Sequence, residues 1–328
     1  MYIERNYGFW MTFNWSKKPF ILGFIYATAI SAASYFTDFY IVLPWQPMSV
    51  IGIAVAFYLG FKNNSSYDRT WEARKIWGSI VNNSRSLGAA ACSLLQGEKQ
   101  DAYRRELVYR HIAWLTALRH QLRTPRTWEH NGLIYNSLFG PESTLDLKGE
   151  LAVELKPYLS TEELDEVLTY SNCATQLLRH QSQRLQAIKD DDHMDDFRHM
   201  EFHQLIVSFY ADQGKSERIK NFPFPRQYAS TALWLSIVFC VFVPFGLVDV
   251  FRNQQGMLFW VSPFISALII WIFMLMEKIG DYSENPFEGT YNDVPISSIS
   301  RGIEIDMREM IHDTDIPSPV EAVNGFLM

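Results

Sequence analysis

The stretch Ser49–Gly78, SVIGIAVAFYLGFKNNSSYDRTWEARKIWG, joins an apolar segment to a charged one without a break in its helical spacing. Ile53, Phe57 and Phe61 recur at every fourth position, so on a helix they form one bulky stripe that runs nearly parallel to the axis. We call these three residues the apolar triplet. The rest of the chain is organised around this stretch.

Small residues form a second stripe, one position before the first. Gly52, Ala56 and Gly60 leave room for a neighbouring backbone, as small-residue faces do in membranes. Several copies packed through this thin face would present the apolar triplet inward, as a narrow dry constriction that gates ions by dewetting. The alternative is that the triplet packs in an ordinary core or faces lipid, because apolar stripes usually do.

Composition indicates a membrane protein. The 328 residues suffice for two domains. A mean hydropathy of -0.08 is ordinary for a soluble protein, but the apolar residues concentrate towards both ends and leave a charged middle. Aromatic residues make up 15%, and Trp and Tyr lie near the edges of the apolar runs, as in interfacial belts.

Charge and cysteine usage exclude other classes. A formal charge of -7 argues against a nucleic-acid partner, which requires a basic face. Cys92, Cys173 and Cys240 are widely separated and predict neither a disulfide framework nor a zinc site, which fits a reducing cytoplasm. The first residues lack the apolar core of a cleavable signal peptide.

Two apolar runs near the N-terminus are candidate transmembrane helices. Pro19 opens the first, which reaches Leu43 with Asp38 as its only charge and is long enough to span a bilayer. A short loop from Pro44 to Pro47 leads into the second. The second is an apolar segment of only about fourteen residues before Lys62, a length that a pore-lining helix tolerates because its polar part can face water.

Two further runs follow Pro223 and Pro225. The third is uncharged until Asp249 and contains Pro244, which predicts a kink, and a loop to Gly256 leads to the fourth. The predicted domains are 1–66 with transmembrane helices 1 and 2, 67–226 as a cytoplasmic helical domain, 227–278 with transmembrane helices 3 and 4, and 279–328 as a cytoplasmic C-terminal helix and tail.

The charged middle has helical periodicity and no extended strand-like alternation. Ser160 to Glu163 form a capping box, and Gly, Pro and Asn mark a loop between Thr124 and Pro141. Basic residues flank the predicted helices on the side of this domain, whereas the two hairpin loops contain only Arg252. The positive-inside rule therefore predicts that the large domain and both termini are cytoplasmic.

Two motifs carry a resemblance to a known family. LGFKNNSSYDRTWEARKIWG at 59–78, ENPFEGTYNDVP at 284–295 and the division of the helices two and two around a helical domain resemble the bestrophin family, most closely its bacterial branch. The resemblance covers nearly the whole chain and is most specific at 59–78. It implies an all-α, funnel-shaped homopentamer in the bacterial inner membrane, with four transmembrane helices per subunit.

The resemblance also implies site residues. Ile53, Phe57 and Phe61 correspond to the hydrophobic neck of the pore, and counting back from Pro223 places the cytosolic aperture at Phe197. Phe57 is bulkier than the aliphatic residue expected in the bacterial branch, which implies a tighter neck.

The segment after Asn285-Pro286-Phe287 departs from the pattern of the calcium-gated animal members. Here Glu288 is followed by Gly289, Thr290, Tyr291, Asn292 and Asp293, and this segment has too few carboxylates to bind calcium. We predict no calcium gating and no cofactor.

A cluster of aspartates precedes Phe197. As a ring in the vestibule they would concentrate cations, and as a solvated loop they would cap the next helix. The resemblance implies small monovalent ions, because family members pass either cations or chloride. The aspartate cluster slightly favours cations such as sodium over chloride. An anion-selective channel of the same architecture is the alternative. The cluster consists of Asp190, Asp191, Asp192, Asp195 and Asp196.

The remaining polar residues give weaker signals. His199 and His203 are spaced to share a metal on one helical face, but no third ligand is visible and a surface helix is the simpler interpretation. Alternating charges from Asp68 to Lys75 predict i,i+4 pairs that anchor the second helix. The neutral side chains of Asn63, Asn64, Ser65 and Ser66 follow the triplet, where their dipoles would replace part of an ion's water shell.

Two other functions compete with a channel, and neither is favoured. A carrier usually shows internal repeats and paired broken helices, which are not visible here. A membrane-anchored scaffold would pass no ions. We see no nucleophile with a base, no phosphate-binding glycine loop and no acid pair, so the sequence predicts no enzyme.

Overall fold

A computed structural model describes residues 1–37, 43–130, 147–252 and 256–328, and within these ranges every regular element is helical. The predicted all-α class is therefore confirmed. In chain order the elements are α1 (Phe9–Phe36), α2 (Trp45–Leu94), α3 (Gln100–Arg123), α4 (Leu147–Leu155), α5 (Thr161–Thr169), α6 (Cys173–Asp190), α7 (Asp196–Asn221), α8 (Arg226–Phe251), a 3₁₀ segment (Gly256–Val261), α9 (Ser262–Tyr282) and α10 (Ile296–Met310).

The chain divides into two compact units, and α2 has residues in both. The apolar unit comprises Glu4–Asp68 and Pro223–Glu284. The large unit comprises Met1–Ile3, Arg69–Phe222 and Asn285–Met328.

In the apolar unit, α1 packs against α9 and α8, which also pack against each other. Three segments are long and apolar enough to cross a membrane: Phe9–Phe36, Arg226–Phe251 and Met257–Tyr282. The helix α2 is not among them, and its apolar run is short because Lys62, Asn63 and Asn64 follow Phe61. By composition, therefore, the described residues supply three of the four spans that the sequence predicts.

The sequence predicts that the first membrane-spanning run opens at Pro19, but the helix α1 begins earlier, at Phe9. A proline inside a helix has no N–H to bond the carbonyl four residues earlier, which here belongs to Trp15. The Lys278 Nζ atom on α9 donates to that carbonyl at 2.6 Å. Because α9 supplies the missing donor, the helix continues through the proline.

Other boundaries also differ from the predicted ones. The helix α2 begins at Trp45, which places Pro47 in its first turn, where a backbone N–H has no intrahelical acceptor in any case. The helix α8 continues through Asp249.

Pro244 lies inside α8, and the Tyr26 hydroxyl donates to the Val241 carbonyl at 3.0 Å, three residues before the proline. Asp38 and most of the predicted loop at 124–141 lie outside the described residues.

The large unit is built around α3, which packs against α4, α6, α7 and α10. Large aromatic side chains fill its core, and burying each one stabilises the fold by about 2 to 3 kcal/mol. The Ser160 half of the predicted capping box is confirmed, since Ser160 Oγ accepts from the Glu163 N–H at 3.2 Å at the start of α5. The Glu163 carboxylate pairs with Arg110. The fully buried aromatic residues include Trp77, Trp114, Phe202, Phe209 and Phe287.

A buried histidine lies at the centre of this core. His111 Nε2 is 2.8 Å from Ser84 Oγ, and its imidazole packs against the rings of Trp114 and Phe209 at centroid distances of 5.1 and 4.5 Å. Burial lowers the pKa of His111 to about 3, because a charged imidazolium would lose its hydration.

This pKa makes stability depend on pH. The unfolded chain binds a proton at His111 below about pH 6.5 while the folded chain does not, so stability falls between pH 6.5 and the folded pKa of about 3. We expect this residue alone to cost about 2 kcal/mol at pH 5. His111→Gln should show a smaller drop in melting temperature than wild type between about pH 7.5 and pH 5 in detergent. His203→Gln, at an exposed histidine, is the control, and equal drops in all three proteins would contradict the prediction.

Candidate functional site

The apolar triplet lies on the exposed face of α2. Ile53, Phe57 and Phe61 are 69%, 68% and 62% exposed in the subunit, whereas Val55 and Leu59 between them are 2% and 0% exposed. The rings of Phe57 and Phe61 contact each other edge to face, with centroids 4.8 Å apart. This helix therefore has one face packed within the subunit and one bulky apolar face that the subunit leaves uncovered.

The buried face of α2 packs against α8. Val55 and Leu59 belong to one apolar cluster with Phe239 of α8. A Cβ atom on Gly52 would lie 2.8 Å from the Phe239 ring, so glycine is needed for this approach. A Cβ atom on Gly60 would have no neighbouring atom within 4 Å among the described residues. The first part of the predicted thin face therefore packs within the subunit, and only its last glycine is open.

A buried ion pair fixes α2 immediately after the triplet. Lys62 Nζ lies 2.7 Å from Glu277 Oε1 of α9, and the lysine side chain is 1% exposed. Asp281 Oδ1 is 4.0 Å from the same nitrogen. A Cβ atom on Gly280 would lie within 3.4 Å of Lys62 Cδ, so the helices meet closely here. Sequence reasoning missed this pair, although both charges end apolar runs, which is the signal that would have paired them.

The polar residues after Lys62 have different environments. Only Asn64 is exposed among the four that sequence analysis considered, whereas Ser66 is buried and Asn63 and Ser65 are half-buried. Asn64 is therefore the member of this group that the subunit leaves open to water.

Two of the alternating charges of α2, Arg69 and Glu72, bind α7 and its C-terminal end. Arg69 donates to the carbonyls of Ile219 and Phe222, each at 3.0 Å. Glu72 forms an ion pair with Arg218 of α7. These contacts anchor the polar part of α2, as expected, but they do so through tertiary partners in the large unit rather than through the predicted i,i+4 pairs.

Phe197 is the second residue of α7 and is 86% exposed. The subunit therefore leaves this apolar side chain uncovered.

The aspartate cluster connects α6 to α7. Asp195 caps α7 by accepting from the Arg198 N–H at 3.0 Å, and it also lies 3.2 Å from Arg198 Nε. Asp196 forms an ion pair with Lys189. The cluster therefore has the capping role that sequence analysis considered. The cluster still carries a net negative charge, because its five aspartates have only Lys189 and Arg198 as basic partners among the described residues, which leaves three net negative charges.

The two candidate metal ligands lie on the same helix. The rings of His199 and His203 have centroids 6.3 Å apart. Burial, assisted by Lys189 and His203, lowers the pKa of His199, which favours the neutral imidazole. Within the described ranges, no group of three or more His, Cys, Asp or Glu is arranged to hold a metal ion.

The segment that differs from the calcium-gated animal proteins is held by protein donors. The Asp293 carboxylate accepts from the Thr290 hydroxyl at 2.7 Å and the Gly289 N–H at 2.5 Å, and it lies 3.2 Å from Arg123 Nη1. Glu288 lies 3.3 Å from His130 Nδ1. These carboxylate oxygens are used to fold the segment that follows α9.

Taken together, these features define a helical membrane-type protein with an uncovered aromatic face on a half-apolar helix. The chain belongs to the bacterial and fungal bestrophin family, because the bacterial/fungal bestrophin family model matches residues 17–309. The resemblance noted in the sequence is thereby confirmed.

Individual relatives agree with this assignment. The voltage-dependent anion channel-forming protein YneE of Escherichia coli K12 is 29% identical over 301 residues, which is 92% of this chain and 88% of the relative. Its counterpart in Salmonella typhi is 28% identical over 290 residues, or 85% and 84%. A crystal structure of a bacterial bestrophin homologue from Klebsiella pneumoniae shares the fold, with a TM-score of 0.76, 23% identity and coverage of 90% and 98%.

The Lys62–Glu277 pair generates a stability prediction. Lys62→Met leaves a buried carboxylate unpaired, and removing one partner of such a pair costs about 3 to 5 kcal/mol. The double variant Lys62→Met/Glu277→Leu removes both charges and should recover most of the loss, as measured by thermal unfolding in detergent. Arg85→Met, which breaks the exposed pair with Asp306, should cost less than about 1 kcal/mol. A double variant less stable than either single variant would contradict this account.

Proposed function

We propose that this chain forms a homopentameric channel that conducts small monovalent ions passively across the bacterial inner membrane. The observation that carries the proposal is the uncovered face of α2, where Ile53, Phe57 and Phe61 each remain more than 60% exposed beside a tightly packed inner face. Membership of the bestrophin family and relatives named as channel-forming proteins support it.

In this proposal α2 is the fourth membrane-crossing helix, although its composition is only half apolar. Packing around an axis would bring the apolar triplets together as a hydrophobic neck, which dewets when narrow and so opposes ions. The large unit and both termini would lie in the cytoplasm, where Phe197 would form a second aperture. The chain segments 1–66 and 227–278 would supply the membrane part, and 67–226 and 279–328 the cytoplasmic part.

Two features favour opposite charges for the permeant ion. The aspartate cluster from Asp190 to Asp196 keeps a net negative charge, which favours cations such as sodium near Phe197. The relatives are named as anion channel-forming proteins, which favours chloride. We propose cations as the first candidate and anions as the second.

The neck is tested by widening it. Purified protein carrying Ile53→Ala, Phe57→Ala and Phe61→Ala together should show a several-fold higher unitary conductance in planar bilayers, because smaller side chains let water fill the constriction. The control is Leu22→Ala/Ile25→Ala, which removes apolar side chains of similar exposure from α1. Unchanged conductance in the triple variant, or a wild-type protein that is monomeric by native mass spectrometry, would overturn the proposed neck.

The sign of the permeant ion is tested in a salt gradient. Neutralising the cluster by changing Asp190, Asp191 and Asp192 to Asn leaves the Asp195 cap and the Asp196 ion pair intact. If the cluster favours cations, the reversal potential should move towards that of chloride, because the local excess of cations falls. A wild-type potential already at the chloride value, unmoved by these changes, would instead support the anion channel.

A further inference from the structure

The exposed face of α2 does not end with the apolar triplet. Asn64 and Asp68 are the next exposed residues on the same side of the helix. At about 100° per residue, Asp68 lies within about 20° of Phe61 around the axis and Asn64 within about 60°. Asp68 follows Phe61 by about 10 Å along the helix. Whatever space the triplet faces, Asp68 therefore faces it too.

Three of the nearby charges on α2 are already committed within the subunit. Lys62 is paired with Glu277, Arg69 donates to backbone carbonyls, and Glu72 is paired with Arg218. Across the part of the chain that the structure describes, the Asp68 carboxylate has no ion-pair partner or hydrogen bond, and it remains exposed. Its charge is therefore available to something outside the subunit.

We infer that Asp68 is a selectivity-determining residue that forms a carboxylate ring on the cytoplasmic side of the neck. This inference rests on the proposed function, since only an assembly around an axis converts one carboxylate per subunit into a ring. The neck is apolar and carries no charge of its own. A ring of unpaired carboxylates just beyond it would concentrate cations at its mouth and deplete anions there.

Asn64 would precede this ring. Its amide lies about 4.5 Å beyond Phe61 along the axis, one turn before Asp68. An ion that leaves the dry neck towards the cytoplasm would therefore contact the neutral Asn64 amide first and the Asp68 carboxylate second.

The ring is tested by a change that keeps the side-chain shape. In bilayers with a sodium chloride gradient, Asp68→Asn should lower the sodium-to-chloride permeability ratio several-fold and reduce sodium conductance, because the local cation excess disappears. The matched control, Asp165→Asn, removes the same charge from an exposed position on α5 and should leave the ratio unchanged. Equal effects of both variants would overturn the inference, since they would reflect net charge alone.

A second measurement locates the side chain and separates the two proposals. In a background with Cys92, Cys173 and Cys240 replaced by Ser, Asp68→Cys is treated from the cytoplasmic side with methanethiosulfonate reagents. A sulfonate-bearing reagent should restore cation preference and a trimethylammonium reagent should reverse it. Leu59→Cys, at a position with 0% exposure, should not respond.

The outcomes are distinguishable. If the protein conducts and the triple neck variant widens it, but Asp68→Asn and both reagents leave the permeability ratio unmoved, the inference falls and the proposed channel stands. If the wild-type protein passes no current, the proposed function falls and the carboxylate ring falls with it.

Discussion

The buried ion pair between Lys62 and Glu277 sets the rotation of the helix on which the candidate site depends. Neighbouring residues on a helix point about 100° apart, so holding Lys62 inward against α9 turns Phe61 outward. An unpaired ammonium would be costly in this buried position. Other rotations of α2 are therefore disfavoured, and the apolar triplet, Asn64 and Asp68 stay on one uncovered face.

The contacts around this pair are close because small residues lie where helices meet. Gly52 admits the Phe239 ring, and Gly280 lies against the side chains of Lys62 and Asn63. In the same unit, Lys278 compensates for Pro19 by donating to the Trp15 carbonyl. Lys62 and Lys278 thus each join α9 to another helix, although both would normally be counted only as basic flanking residues.

Sequence patterns predicted much of this architecture. Helical class, the family and the bulky stripe at Ile53, Phe57 and Phe61 followed from periodicity and from two motifs, because these are local properties of the chain. The start of α1 before Pro19 was not predicted, since a proline normally ends or begins a helix and the compensating donor lies on α9, far away in sequence. The alternating charges of α2 were assigned to local pairs for the same reason, whereas Arg69 and Glu72 bind α7.

The sequence by itself determined which side chains can make an apolar constriction, because the spacing of Ile53, Phe57 and Phe61 is written in the chain and a helix converts it into one face. Only the tertiary structure decided that this face is left uncovered, and that Asp68 on the same face keeps an unpaired charge within the described residues. The physical reason is that exposure and ion pairing depend on neighbours brought together by folding. Lys62 is paired with Glu277, about two hundred residues later in the chain, whereas Asp68, six positions after Lys62, has no ion-pair partner among the described residues.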